Sequence, residues 1–115
     1  DLYHSFHPAV LKALAQVAQA GRDAGKPVGI CGELAGDPAA ALLLLAMGYD
    51  VLSMNATNLN RVKQAVRTIT TADADALLLD VMSADSADAV QQRLEAFLVE
   101  RGLSAFIHAR LGGAD

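Results

Sequence analysis

The 115-residue chain is long enough for one domain with a modest core and far short of the ~250 residues of a closed (β/α)8 barrel, so it is expected to be a piece of a larger protein. Nine lysines and arginines stand against thirteen aspartates and glutamates, and with no basic stripe along the chain a nucleic-acid partner is excluded. One cysteine excludes an internal disulfide and a multi-thiolate zinc site, and the longest uncharged run, twelve residues from 38 to 49, is too short to cross a bilayer. Residues 1–9 carry no signal-peptide pattern, so the expected localisation is cytoplasmic, with no membrane partner. Apolar residues make up 53% and mean hydropathy is +0.30, high enough that part of the apolar surface is expected to be covered by further chain.

Residues 8–24 put Val10, Leu11, Leu14, Val17 and Ala18 on one face and Lys12, Gln16, Gln19 and Arg22 on the other, which predicts an amphipathic helix. Pro8 suits its first turn and Gly25 its left-handed cap. Residues 28–31 follow as a short apolar strand of the interior, parallel kind. A second helix over 38–47 starts at Asp37-Pro38: the carboxylate accepts from the first free N–H groups, and proline has none to leave unpaired. This helix has no polar face, which calls for protein on more than one side. Gly48 stops it, and a second strand is expected over 51–54. The third helix, over 59–68, is expected to bury Leu59, Val62 and Val66 behind a cap at Thr57 or Asn58. The βαβα order implies two parallel strands joined by a right-handed crossover. Helices over 71–82 and 86–101, with stripes Ala74, Leu77, Leu78, Val81 and Val90, Leu94, Phe97, Leu98, read as a closing hairpin. From residue 71 onward three bases face eight acids, a solvated acidic surface.

The chemistry concentrates between the first strand and the second helix. Cys31, the only cysteine, ends the strand, and Gly32, Glu33 and Gly36 follow before the helix cap. The carboxyl ends of parallel strands are where α/β sheets and barrels bind ligands, and Gly32 and Gly36 permit close backbone approach. A lone strand cysteine is also a common core residue, and Glu33 could equally tie the loop as a hydrogen-bond acceptor. Ser53 and Asn55 end the second strand at the same edge, as a minor ligand set or as caps. His4, His7 and His108 show no metal-ligand spacing with Cys31.

The octapeptide Cys31-Gly32-Glu33-Leu34-Ala35-Gly36-Asp37-Pro38, followed by an apolar helix, Gly48-Tyr49-Asp50 and Leu52-Ser53-Met54-Asn55, resembles the C-terminal part of enzyme I. That is the phosphoenolpyruvate-protein phosphotransferase family of bacterial phosphotransferase systems, and the resemblance covers residues 2–101. His7-Pro8-Ala9 and Arg101-Gly102-Leu103 are more similar to its nitrogen-related branch. A pyruvate phosphate dikinase or phosphoenolpyruvate synthase also places Cys-Gly-Glu at a late barrel strand, and a non-catalytic dimerisation module with Cys31 simply packed is the alternative of another class. Leu34-Ala35-Gly36-Asp37 favours enzyme I.

The resemblance implies an α/β fold: the last two βα units of a (β/α)8 TIM barrel plus a C-terminal helical hairpin. Residues 1–70 would hold a helix and the two units, 71–101 the hairpin and 102–115 a loose tail. It implies Cys31 as the catalytic proton donor to enolpyruvate, with Gly32 and Glu33 as substrate-binding candidates. It also implies magnesium in the full-length protein, held by carboxylates upstream of Asp1 with the phosphate-binding arginines, and no cofactor on this piece alone. Phosphoenolpyruvate and pyruvate, a phosphocarrier protein met through missing N-terminal domains, and a second copy in a homodimer are the partners implied. The isolated chain is expected to be inactive.

Overall fold

The computed structural model describes residues 7–31 and 35–103, with Cys31 described by its backbone alone. Five helices and two strands follow in the order α1 (Pro8–Asp23), β1 (Gly29–Cys31), α2 (Pro38–Met47), β2 (Val51–Ser53), α3 (Ala56–Thr68), α4 (Thr71–Met82) and α5 (Ala87–Glu100). The strands pair in parallel, with Gly29 beside Val51, Ile30 beside Leu52 and Cys31 beside Ser53. The architecture is α/β: a two-stranded parallel sheet with helices packed on one face. Ile30 and Leu52 turn toward the helical core, while Val51 remains 54% exposed on the other face.

Helix α2 is the centre of the core. Asp37 caps it in extended conformation, accepting from the N–H groups of Ala39 at 2.9 Å and Ala40 at 3.4 Å, and Pro38 occupies the first turn. Gly48, at φ +108°, ends it with paired bonds from Gly48 N to Leu45 O and from Tyr49 N to Leu44 O. Helices α1 and α5 end through the same bond pattern at Gly25 and Gly102. α1, α3 and α4 surround α2, so Leu42, Leu43 and Leu44 are all buried. The protein that α2 calls for on more than one side is thus supplied by these three helices, while its Leu45 stays 39% exposed. The hairpin supplies the missing wall, because α4 lies directly on α2.

The hairpin is antiparallel. Arg93 in the middle of α5 reaches the end of α4 at Asp80 and Ser83, whereas Arg101 at the end of α5 reaches the start of α4 at Asp73, 2.9 Å away. Asp73 also completes a capping box with Thr70. The tail does not become loose at 102: the Leu103 N–H bonds Leu98 O at 2.7 Å and its side chain joins the core. Residues 104–115 lie outside the described residues.

Two expected helix faces shift. In α1 the buried line is Leu11 and Ala18 with Leu14 and Ala15 half-buried, and Val17 stays 55% exposed beside Val10. The apolar stripe is wider than its contact with α2 and α4, so its outer edge is left in solvent. In α3 the buried residues are Val62 and Ala65, not Leu59 and Val66. The small Ala65 lets α3 approach the core closely, and the larger residues flank the approach.

Tyr49 ties the second unit to α1. It is buried, and its hydroxyl donates to the Leu14 carbonyl at 2.9 Å. Burial raises the phenol above its ordinary value. The folded state thus favours the neutral phenol, and the associated stability is present below about pH 10 and lost as pH rises through the raised folded value. Tyr49→Phe is expected to cost about 0.5–1 kcal/mol at neutral pH, because the Leu14 carbonyl keeps its helical bond, and to flatten the alkaline decline. Urea unfolding at pH 7 and at alkaline pH checks both; an equally steep decline in Tyr49→Phe would contradict this role.

Candidate functional site

Both strands end at the same edge, and both following helices begin there. Two residues, Met54 and Asn55, connect Ser53 to α3, and Asn55 is its cap, accepting from the Asn58 N–H at 2.9 Å. The expected cap at Thr57 or Asn58 is corrected: the helix starts earlier because the strand stops at Ser53 and leaves only Asn55 in extended backbone at the entrance. Asn55 is therefore a cap, as the second of its two readings held, and Ser53 stands exposed beside the Cys31 backbone.

The structure places Cys31 at the last position of β1, in register with Ser53. Gly32 and Glu33 lie outside the described residues. The description resumes at Ala35, fully buried, and Gly36, also buried, before the Asp37 cap. A Cβ at Gly36 would stand 2.7 Å from the amide nitrogen of Asn58 and 3.1 Å from its Cβ. The turn before α2 and the first turn of α3 are thus interlocked, and Gly36 is required by its neighbour. The glycine was visible as a point of close approach; its partner, on another βα unit, was not.

At the opposite end of the strands Asp50 braces the sheet, its carboxylate accepting from Val28 N at 2.9 Å while its own N–H donates to Val28 O at 2.8 Å. Arg22 donates to the Met47 carbonyl at 2.6 Å at the end of α2. Arg93 and Arg101 are engaged on the hairpin, and Arg61 and Arg67 are exposed along α3. Among the described residues the arginines thus do not converge on the carboxyl edge of the sheet. Nor do any three His, Cys, Asp or Glu side chains among them form a group that could hold a metal ion. His7 caps α1, its Nδ1 accepting from Ala9 N at 3.0 Å, and His4 and His108 lie outside the described residues. No helix among the described residues is long and apolar enough to cross a membrane.

Residues 1–71 match the family described as PEP-utilising enzyme, PEP-binding domain. The chain is 42% identical over 103 residues, 90% of its length, to a phosphoenolpyruvate-protein phosphotransferase of Haemophilus influenzae, of which it covers 18%. It is 38% identical over 111 residues, 96% of its length, to a phosphoenolpyruvate-dependent phosphotransferase system protein of Salmonella typhimurium, covering 15% of that chain. A phosphoenolpyruvate-protein phosphotransferase of Priestia megaterium is 37% identical over 89 residues, 77% of this chain and 16% of its own. The chain therefore spans about a sixth of the length of these relatives.

Proposed function

The chain belongs to the PEP-utilising enzyme family, in its PEP-binding domain, and we propose that it is the C-terminal part of a phosphoenolpyruvate-protein phosphotransferase in which Cys31 protonates enolpyruvate. The observation that carries this reading is the place of Cys31: the end of a parallel strand, where the N-termini of α2 and α3 also gather. Among the described residues β1 and β2 pair only with each other and Val51 is exposed on the face away from the helices, as two units of a (β/α)8 barrel would present themselves to their neighbours, which supports the barrel reading. The phosphotransferase names of the relatives favour enzyme I over a dikinase or synthase.

In this scheme the P–O bond of phosphoenolpyruvate breaks as a new P–N bond forms to a histidine on another domain. The enolpyruvate left behind takes the Cys31 Sγ proton at C3 as its oxygen lone pair becomes the carbonyl of pyruvate. The thiolate then recovers a proton from solvent. A proton donor must begin as a thiol; a carboxylate two residues away, Glu33, opposes ionisation, while a nearby helix start assists it. Gly32 and Glu33 are the proposed substrate contacts beside it. We assign the phosphate-binding arginines, the magnesium carboxylates, the phosphorylated histidine and the surface for a phosphocarrier protein to segments outside this chain. Bound magnesium supplies charge neutralisation at the transferring phosphoryl group.

The full-length protein, given radiolabelled phosphoenolpyruvate and magnesium, is expected to release pyruvate in step with an acid-labile phosphoprotein. Pyruvate without phosphoprotein, or neither, would overturn the proposal. The 115-residue chain alone is expected not to bind phosphoenolpyruvate usefully, since its described arginines do not converge on the sheet edge. Titration calorimetry with magnesium checks this; micromolar affinity, about −8 kcal/mol, would show a complete anion site within this chain.

A further inference from the structure

His7 alone closes the start of α1. Pro8 has no N–H, so Ala9 carries the first free amide of the helix; it donates to His7 Nδ1 at 3.0 Å, and Val10 and Leu11 donate to the His7 carbonyl at 2.9 and 3.1 Å. An amide N–H can only donate, so Nδ1 accepts as the unprotonated atom of a neutral imidazole whose proton is on Nε2. The ring is exposed, within reach of solvent protons. The ends of α1 and α2, which pack together, meet where Arg22 reaches the Met47 carbonyl, so both helices run the same way and α1 begins on the side of the fold where α2 and α3 begin. Those two starts are capped by Asp37 and Asn55. A carboxylate is favoured at a helix N-terminus and an amide carries no charge, so of the three caps only His7 loses its acceptor by gaining a proton near neutral pH.

We propose that the His7 cap is an acid-sensitive catch on α1: the neutral ring holds the first turn, and the imidazolium releases it. Protonation at Nδ1 sets N–H against N–H with Ala9 and places a positive charge at the positive end of the helix dipole, two effects of the same sign. The cap is therefore present at about pH 8 and lost as pH falls toward about 5, the range in which an imidazole changes charge. α1 packs on α2, which carries no titratable side chain, and on α4, whose Asp73 and Asp80 are paired with Arg101 and Arg93 and whose Asp75 is exposed. Lys12, Arg22 and Asp23 are the charged groups of α1 itself, and the Asp37 carboxylate serves Ala39 and Ala40 at the start of α2. No carboxylate among the described residues lies within ion-pair distance of His7, so no ion pair compensates the imidazolium. Release stops within the first turn, because Leu11 is buried in the core and Tyr49 holds the Leu14 carbonyl. The device does not depend on which reaction the full-length protein catalyses.

The experiment is hydrogen–deuterium exchange of the full-length protein, read in peptides from the starts of α1, α2 and α3 at about pH 8 and about pH 5. His7→Asn is the reference, because asparagine caps a helix without titrating, and comparing the two proteins at one pH cancels the pH dependence of the exchange chemistry. At the higher pH the α1 peptide is expected to exchange at the same rate in both proteins, within about twofold. At the lower pH the wild-type protein is expected to exchange there at least about threefold faster, the usual worth of a side-chain cap. The peptides from α2 and α3 should keep one ratio at both pH values. His7→Ala, which has no side-chain cap at either pH, should exchange faster than His7→Asn at both. A ratio of wild type to His7→Asn that is the same at both pH values overturns the proposal, as does an acid-induced rise shared by the α2 and α3 peptides, which reports loosening of the whole fold. So does a His7→Ala protein that matches His7→Asn, since the cap would then hold nothing.

Discussion

Cys31→Ser in the full-length protein is expected to lower net pyruvate formation by about 10²–10⁴-fold, the usual contribution of a positioned general acid. Serine keeps the size of the side chain close to that of cysteine and replaces a thiol with a hydroxyl far too weak an acid to serve at neutral pH. The backbone position is the end of a three-residue strand, in register with Ser53. Phosphorylation of the acceptor histidine by phosphoenolpyruvate should fall much less than pyruvate release, because bond breaking at phosphorus precedes protonation at carbon. Steady-state lactate-dehydrogenase coupling and single-turnover phosphorylation measure the two steps separately. A Cys31→Ser enzyme with unaltered pyruvate formation contradicts the assignment, and one that loses both activity and thermal stability indicates a packing role.

The second large effect is on stability. Gly48 closes α2 at φ +108°, where a side chain is strained, and a Cβ there would run into the Arg22 guanidinium that donates to the Met47 carbonyl. Gly48→Ala is expected to destabilise the fold by about 2–3 kcal/mol, roughly 1–2 from backbone strain and about 1 from displacement of the arginine. In an Arg22→Ala background the same change should cost only the strain, about 1–2 kcal/mol. Urea midpoints for the four proteins give the coupling directly. Equal costs in both backgrounds would mean that Arg22 moves aside freely and is not part of the helix end.

The legibility of these features in the sequence follows from their range. Helix α2 begins and ends where Asp37, Pro38 and Gly48 place it, because caps are decided by residues within one turn of each other. The stripe Ala74, Leu77, Val81 and the stripe Val90, Leu94, Leu98 are buried as their periodicity requires. What periodicity could not convey is the width of each contact. Leu59 and Val66 share the apolar side of α3 with Val62, but the seat of the helix is set by Ala65, whose importance comes from being small. Leu103 follows a glycine that ends a helix, a position that reads as tail, and yet it is folded back into the core by its bond to Leu98.

The candidate site divides in the same way. Cys31 at a strand end and Asp37 at a helix start are local properties of the octapeptide. The Gly36–Asn58 contact depends on the pairing of β1 with β2, which the sequence order implies but whose register only the folded chain displays. The departure of Arg22 from an exposed helical face to the end of α2 has the same origin.

The central claim, that the Cys31 thiol delivers the proton, is tested most directly by stereochemistry at the pyruvate methyl group. Phosphoenolpyruvate bearing deuterium at one defined C3 position, turned over by the full-length protein in tritiated water, yields a methyl group carrying all three hydrogen isotopes. Protonation by a fixed thiol comes from one face, so the wild-type protein should give chiral methyl, whereas enolpyruvate released from Cys31→Ser and protonated by water should give racemic methyl. Chiral pyruvate of the same configuration from Cys31→Ser would contradict the claim, because another fixed group would then be the donor.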